Sequence, residues 1–312
     1  MTAYSRKPAA PATIPEHMAL FSHGSTDIHY LVRGTGEPLL LIHGLGSSGA
    51  DWAFQMPVLE PRFQVVVPDL PGSGHSPAPK DGYAIEATAN ALWALLDRLG
   101  MARVNIVGFS LGGAVALEMA LQRPAAAPRL VLINSLATYR INHWRKWLEA
   151  RVPVALVRLL GMQRLARLTA SRVFPEPWQQ RLHARAVAVI GAVPPGAYLG
   201  MGRALERWSA TERLGRLQSR ILLIAAEHDY TPLAEKRALA TQLRASLVVV
   251  RGSRHGTPFD AIALTNASLL ALLTDQQLPP AEHWHRDERA AAPEWALSAS
   301  LVEEHAAGAQ AA

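Results

Sequence analysis

Residues 108–113 (GFSLGG) form the pattern in this chain that most clearly points to chemistry. They follow a short apolar run, residues 104–107 (VNIV), and precede a segment with helical character. A G-x-S-x-G sequence between a strand and a helix is typical of a sharp turn that presents a serine hydroxyl as a nucleophile. Small residues two positions away let the strand and helix backbones approach closely. The pattern therefore predicts Ser110 as a catalytic nucleophile.

The candidate base and acid lie much later in the chain. A serine hydroxyl needs a general base, and the base needs a group that orients it. His255 follows the last predicted strand, Asp229 follows the preceding one, and such loops meet at one edge of a parallel sheet. The order serine, aspartate, histidine is the one expected for this type of elbow. The alternative acid position, after strand 129–133, holds Asn134 and Ser135, so Asp229 has no evident rival.

Backbone amides are predicted to stabilise the oxyanion that forms when the serine attacks a carbonyl. One is the N–H of Leu111, at the start of the helix that follows the nucleophile. The other is the N–H of Leu45, with Gly46 as the alternative, in loop 43–46 after an earlier strand. His43 is expected to brace this loop through a buried hydrogen bond. This chemistry requires no cofactor and no metal, and none is predicted.

The elements that must position these residues follow from hydrophobic patterning. Strands 19–23 and 27–33 are predicted as a hairpin. Continuous apolar runs predict strands buried on both faces of a parallel sheet, at residues 38–42, 63–67, 104–107, 129–133, 221–225 and 247–251. Predicted helices 84–99 and 111–122 alternate with them, which indicates an α/β fold with a mostly parallel, doubly wound sheet.

Four regions are expected along the chain. Residues 1–17 are a Pro/Ala-rich leader, and residues 279–312 are an Ala-rich tail. The sheet core is discontinuous and comprises residues 18–136 and 219–278. Between its two parts, residues 137–218 lose the strand–helix alternation and are predicted as an inserted cap of four or five helices.

The pattern resembles the α/β-hydrolase fold, in its capped, esterase-like branch of serine hydrolases. The matching pieces span residues 43–260 in the family's order: His43-Gly44, residues 69–76 (DLPGSGHS), the elbow at Ser110, Asp229 with Pro232, and His255 with Asp260. The resemblance implies a Ser110–His255–Asp229 triad. The sequence departs from the family at Ala226, where glycine is frequent, and around His255, where SRHGTP replaces the usual G-x-G-H. Serine at the nucleophile position argues against the epoxide hydrolases and dehalogenases of this fold, which use aspartate.

Charge is distributed unevenly over the 312 residues. The chain has a net charge of +6 and no cysteine, which excludes disulfides and thiol nucleophiles. Residues 137–220 hold 15 Lys or Arg against 4 Asp or Glu. The arginines alternate with apolar residues, as in amphipathic helices with one solvated basic face. Attraction of anionic substrates and weak contact with an anionic membrane surface are the alternatives, whereas no recognition motif accompanies the charge to support a nucleic-acid partner.

The expected function is hydrolysis of a small or medium hydrophobic carboxylic ester, a small-molecule substrate, by a cytoplasmic enzyme without a transmembrane segment. The cap should line the substrate pocket, with Trp144, Trp147, Leu160 and Met162 as candidates. Lactone, thioester and C–C bond hydrolysis and perhydrolysis remain open with the same triad. A non-catalytic receptor or scaffold and a membrane-surface protein are alternatives of a different class. The sequence does not predict the oligomeric state.

Overall fold

The computed structural model describes residues 18–140 and 144–284. Its strands and helices follow one another as β1 (Ala19–His23), β2 (Thr26–Arg33), β3 (Glu37–Ile42), α1 (Met56–Leu59), β4 (Phe63–Pro68), α2 (Ile85–Arg98), β5 (Asn105–Phe109), α3 (Leu111–Gln122), β6 (Arg129–Ile133), α4 (Trp144–Val173), α5 (Gln180–Ala192), α6 (Pro195–Arg207), β7 (Arg220–Ala226), α7 (Leu233–Leu243), β8 (Ser246–Arg251), α8 (Thr257–Asp260), α9 (Ile262–Leu273) and β9 (Glu282–Trp284). Single turns of 3-10 helix lie at Gly49–Phe54, Pro124–Ala126, Pro177–Gln179 and Thr211–Arg216.

The strands form one sheet in the order β1-β2-β4-β3-β5-β6-β7-β8-β9. Strand β2 pairs antiparallel with both β1 and β4, and every later pairing is parallel. The predicted α/β fold with a mostly parallel sheet is therefore confirmed, and all eight predicted strands are present. A ninth, β9, lies in the segment for which the sequence predicts a tail, and its three residues carry no apolar run that would reveal it.

Alternate residues of the central strands enter two separate hydrophobic cores. In β3, Leu40 and Ile42 pack with helices α2 and α3 on one face of the sheet. Leu39 and Leu41 pack with α9 on the other face. Burial on both faces explains why these strands are continuous apolar runs rather than alternating ones.

The chain order reverses beside β3, because β4 lies on one side of it and β5 on the other. Such a reversal opens a crevice at the carboxyl ends of the strands, where α/β proteins bind ligands. The loops that follow β3 and β5 border this crevice. They are the two loops for which the sequence predicts the oxyanion donors and the nucleophile.

Helices α4, α5 and α6 lie between β6 and β7. Helix α4 is interrupted at Gly161, whose φ of 74° and ψ of 171° are not helical. Where the helical segment begins and ends, Thr138 pairs with Ser209 and the Ala210 N–H donates to Ala137 O at 2.8 Å. The segment thus leaves and rejoins the core at one place.

Polar contacts join this segment to the core at several points, and two of them involve the carboxylates of Glu118 and Asp51. Glu118 of α3 is buried and accepts hydrogen bonds from Trp208 Nε1 at 2.8 Å and from both terminal nitrogens of Arg213. Arg185 of α5 forms an ion pair with Asp51 at 2.7 Å. In the described part of the chain no single helix is long and apolar enough to cross a membrane, and residues Pro177–Ala192 with Pro195–Arg207 pass that test only as a pair bent by 96°.

Candidate active site

Ser110 occupies a strained turn between β5 and α3. Its φ of 55° and ψ of −119° lie outside the regions that L-residues prefer, which costs about 1–3 kcal/mol. The neighbouring strand contributes to holding this conformation, since the Ser110 N–H donates to Ile133 O at 2.8 Å. The side chain therefore stands at the carboxyl end of the central strands, directly before the positive end of the α3 dipole.

The glycines of the turn are required by close backbone contacts. A Cβ on Gly108 would lie 2.3 Å from Gly112 O, and one on Gly112 would lie 2.2 Å from Ile42 O. A Cβ on Gly113 would lie 2.4 Å from the Cβ of Ser135. The G-x-S-x-G pattern is thus explained by packing of α3 against the ends of β3 and β5.

The structure brings Ser110, His255 and Asp229 together. The Ser110 Oγ lies 2.9 Å from His255 Nε2, and His255 Nδ1 lies 2.8 Å from Asp229 Oδ1. The Asp229 side chain is fully buried, and that of His255 is 9% exposed. If the ring carries its proton on Nδ1, Nε2 is free to accept the serine proton, which is the arrangement that a general base needs.

The second oxygen of Asp229 is also held. Its Oδ2 accepts a hydrogen bond from Thr231 Oγ1 at 2.6 Å and forms an ion pair with Lys236 Nζ. Burial alone would raise the pKa of Asp229, but the charges and hydrogen bonds of His255 and Lys236 outweigh it and hold that pKa far below its ordinary value. Asp229 is therefore a carboxylate at every pH at which the protein is expected to work.

Asn134 links three elements beneath the imidazole. It has a φ of 48° at the end of β6, and its Oδ1 accepts from the Ala226 N–H at 2.7 Å and from Lys236 Nζ at 3.3 Å. Its Nδ2 donates to His255 O at 2.8 Å and to Thr257 Oγ1 at 2.9 Å. The asparagine at the alternative acid position thus fixes the backbone of the loop that carries the histidine.

Aromatic rings enclose the imidazole. The Phe109 centroid lies 5.1 Å from that of His255, and the Tyr230 centroid lies 4.1 Å away with the rings tilted by 31°. Tyr230 as a whole is 62% exposed, whereas its hydroxyl is buried and interacts with Ser110. Desolvation of this hydroxyl and then the charge of Asp229 raise its pKa well above the ordinary value, so Tyr230 keeps its proton.

The loop after β3 lies against the nucleophile. A Cβ on Gly44 would come within 3.3 Å of the Ser110 Cβ. His43 holds this loop, because its Nε2 accepts from the Leu70 N–H at 2.9 Å and its Nδ1 lies 2.8 Å from Gly44 O. This is the bracing role that the sequence predicts for His43. Leu45 lies in the loop beside Ser110 and Leu111 directly follows Ser110, and their role as oxyanion donors stays a prediction.

The structure describes the side chains of two of the four predicted substrate-binding residues. Leu160 is 56% exposed beside the bend of α4, and Met162 is buried in a cluster within the helical segment. Trp144 and Trp147 begin α4, but their side chains fall outside the described residues.

Tyr198 of α6 is one helical-segment residue that reaches the predicted oxyanion loop, and Phe174 of the same segment lies against Gly256 beside the histidine. The Tyr198 ring would lie 3.2 Å from a Cβ on Gly46, so it covers that loop. No local sequence pattern points to Tyr198 or Lys236. Tyr230 and Asn134 could have been found, since each is adjacent to a strand end or to the predicted acid. Within the described residues, no group of three or more His, Asp or Glu is arranged to hold a metal ion.

Known proteins share this fold, with sequence identities of 25–42% over the matched residues. A model of the α/β hydrolase fold family matches residues 37–186. A putative carbamate hydrolase, RutD, of Variovorax paradoxus is 32% identical over 267 residues, covering 81% of this chain and 98% of that protein. An uncharacterised protein of Mycobacterium tuberculosis is 42% identical over 106 residues, covering 34% of this chain and only 31% of that protein's length. The structure of a thermophilic esterase from Thermogutta terrifontis has a TM-score of 0.72 and 25% identity, covering 83% of this chain and 98% of that one. This chain belongs to the α/β-hydrolase family of enzymes.

Proposed function

We propose that this protein is a serine hydrolase that cleaves small or medium hydrophobic carboxylic esters through an acyl-enzyme. The observation that carries the proposal is the continuous hydrogen-bonded chain from Ser110 Oγ through His255 to Asp229. It lies at the reversal point of the sheet, where ligands of such folds bind.

The geometry supports the following sequence of steps. His255 Nε2 takes the Ser110 proton as Oγ attacks the ester carbonyl, and Asp229 stabilises the imidazolium. The N–H groups of Leu45 and Leu111 hold the oxyanion, whose negative charge the α3 dipole also favours. His255 then protonates the leaving alcohol. Water, activated by the same imidazole, releases the acid and frees Ser110.

The surroundings of Ser110 favour an apolar substrate. Phe109, Tyr198 and Tyr230 supply aromatic surface around the imidazole and the predicted oxyanion loop. The arginines of α4, such as Arg158 and Arg164, are exposed on the helix surface, and no described contact joins them to the site. An anionic group on the substrate is thus not required for recognition by the residues that the structure places there.

The test is hydrolysis of p-nitrophenyl esters of increasing acyl length by the wild type and by Ser110→Ala. We expect turnover with short and medium chains and a loss of about 1,000-fold or more in the variant, because the nucleophile is removed. Circular dichroism serves as the folding control. Wild-type turnover in Ser110→Ala would show that Ser110 is not the nucleophile.

Carbamate hydrolysis is the second candidate, and the RutD relative supports it because the match extends over 98% of that protein. The same triad would attack a carbamate carbonyl. Comparing p-nitrophenyl acetate with p-nitrophenyl N-methylcarbamate separates the two. A carbamate specificity constant above that of the ester would favour this second function over the first.

A further inference from the structure

We propose that Lys236 is a positioning residue of the catalytic site: its ammonium group holds the second oxygen of Asp229 and compensates its charge, which extends the activity of His255 to lower pH. This inference rests on the proposed function of the Ser110–His255–Asp229 array. It assigns a role to a buried cation that the hydrolytic steps themselves do not use.

Burial is the first observation. The Lys236 side chain is only 1% exposed, although it lies on α7, where Arg237 beside it is 49% exposed. Lysine is rarely buried unless its charge is paired, because removing an ammonium group from water costs a large desolvation free energy. The buried position of Lys236 therefore depends on the partners that it finds inside the fold.

Those partners belong to the site. The ammonium forms an ion pair with Asp229 Oδ2, while Oδ1 of the same carboxylate lies 2.8 Å from His255 Nδ1. It also donates to Asn134 Oδ1 at 3.3 Å, and Asn134 in turn donates to the His255 backbone carbonyl. Lys236 and Asn134 thus fix both the carboxylate and the loop of the histidine, so that Oδ1 faces the imidazole.

Charge compensation follows from the same contacts. The carboxylate of Asp229 attracts a proton to His255, and the neighbouring ammonium opposes that attraction. Two tyrosine hydroxyls among the described residues are further titratable groups around Asp229 and His255. Tyr230 is stacked on the imidazole, and the charge of Asp229 contributes to raising the pKa of Tyr139. Burial raises the pKa of Tyr139 to about 12, and that of Tyr230 is also raised, so neither carries charge at neutral pH. Lys236 is therefore the group that offsets the charge of Asp229.

The test is the pH dependence of labelling by diisopropyl fluorophosphate, which requires the nucleophile but not the natural substrate. Removing the ammonium in Lys236→Met leaves Asp229 uncompensated and favours the imidazolium, which cannot accept the serine proton. The labelling rate should decrease at low pH, where the imidazole is protonated, and we call this decrease the acid limb. We expect the acid limb to move to higher pH by about one to two pH units in Lys236→Met. Lys236→Arg keeps the charge and should retain the wild-type limb.

The matched control is Arg237→Met, which removes a positive charge from the exposed face of the same helix and should leave the limb unchanged. Labelling counts only folded, reactive enzyme, so lost stability lowers the amplitude without moving the limb. If Lys236→Met fails to fold, Lys236→Gln carries the test, since its amide can still donate to Asp229 and should show the same upward movement.

The outcomes separate this inference from the proposed function. If the wild type is not labelled at any pH, the proposed function as a serine hydrolase is wrong. A labelled wild type whose acid limb is shared by Lys236→Met or by Lys236→Gln would overturn the role of Lys236 and leave the triad intact. An acid limb that moves upward in the neutral variants and stays in place in Lys236→Arg supports the proposal.

Discussion

The sheet core and the inserted helices α4–α6 differ in where their charged side chains lie. In the core, the buried carboxylate of Asp229 is paired with Lys236, and that of Glu118 is paired with Arg213 of the helical segment. In α4, arginines such as Arg158 and Arg167 lie exposed beside exposed leucines. The two buried carboxylates of the core thus each have a defined partner, whereas the arginines of α4 lie on the helix surface. The charges that the site needs thus belong to the core, and the net positive charge of the chain is mainly a surface property of the helices.

Gly108 of the core and Gly196 of the inserted helices differ in how closely other atoms approach them. We expect Gly108→Ala to lower the free energy of unfolding by about 3 kcal/mol, because its Cβ would lie 2.3 Å from Gly112 O. In α6, Gly196 has no atom within 4 Å of an added Cβ, and Gly196→Ala should raise that free energy by up to about 1 kcal/mol. Urea unfolding measures both. A loss below about 1 kcal/mol in Gly108→Ala would contradict the close packing of the elbow.

The junction between the two regions should depend on pH. Burial would raise the pKa of Glu118, but hydrogen bonds from Arg213 and Trp208 hold it below its ordinary 4.5. Because the folded state binds this proton less readily than the unfolded state does, the stabilisation is present above pH 4.5 and is lost as pH falls through the lowered pKa. We expect Glu118→Gln to lose about 1–2 kcal/mol at pH 7 and progressively less at pH 4 and 3.

Urea unfolding at these three pH values checks the junction. Glu212→Gln, at an exposed position beside Arg213, is the matched control and should stay within about 0.5 kcal/mol of the wild type. A Glu118→Gln deficit that is the same at every pH would show that the loss comes from packing and not from the ion pair.

The smallest effect is expected on the exposed surface of α4. Leu159 is 80% exposed, so Leu159→Ala should change the free energy of unfolding by less than about 0.5 kcal/mol. Leu165, six positions later, is 3% exposed, and Leu165→Ala should cost about 2–5 kcal/mol. Thermal or urea unfolding compares the pair. A large loss in Leu159→Ala would mean that this surface is covered in solution.

Local patterns predicted the fold well because they report local physics. The run 38–42 predicts a strand buried on both faces, and β3 sends Leu39 and Leu40 into opposite cores. Predicted helix 111–122 coincides with α3. Strand β9 was missed because its three residues are held by pairing with β8 rather than by a hydrophobic pattern of their own.

The residues of the site also divide into those that local sequence patterns predict and those that only packing brings to the site. Ser110, Asp229 and His255 could be selected from the sequence because each lies within about four residues of the end of a strand, and parallel strands bring such residues to one edge. The substrate candidates Leu160 and Met162 rest on apolar side chains within a helical pattern and stay a prediction. Which face of a helix meets the site depends on packing, and packing places Tyr198, a residue without a local sequence signal, beside Gly46.

The sequence by itself determined the strand–turn–helix around Ser110, the order of the three candidate catalytic residues and the basic character of the inserted helices. These depend on residue types at short spacing, which set backbone geometry and burial locally. Only the tertiary structure decided that Lys236 meets Asp229 and Asn134, and that Tyr230 stacks on His255. The partners Lys236 and Asn134 are 102 positions apart. Strand order and helix packing alone bring such residues together, because the contact lies between elements and no local pattern encodes it.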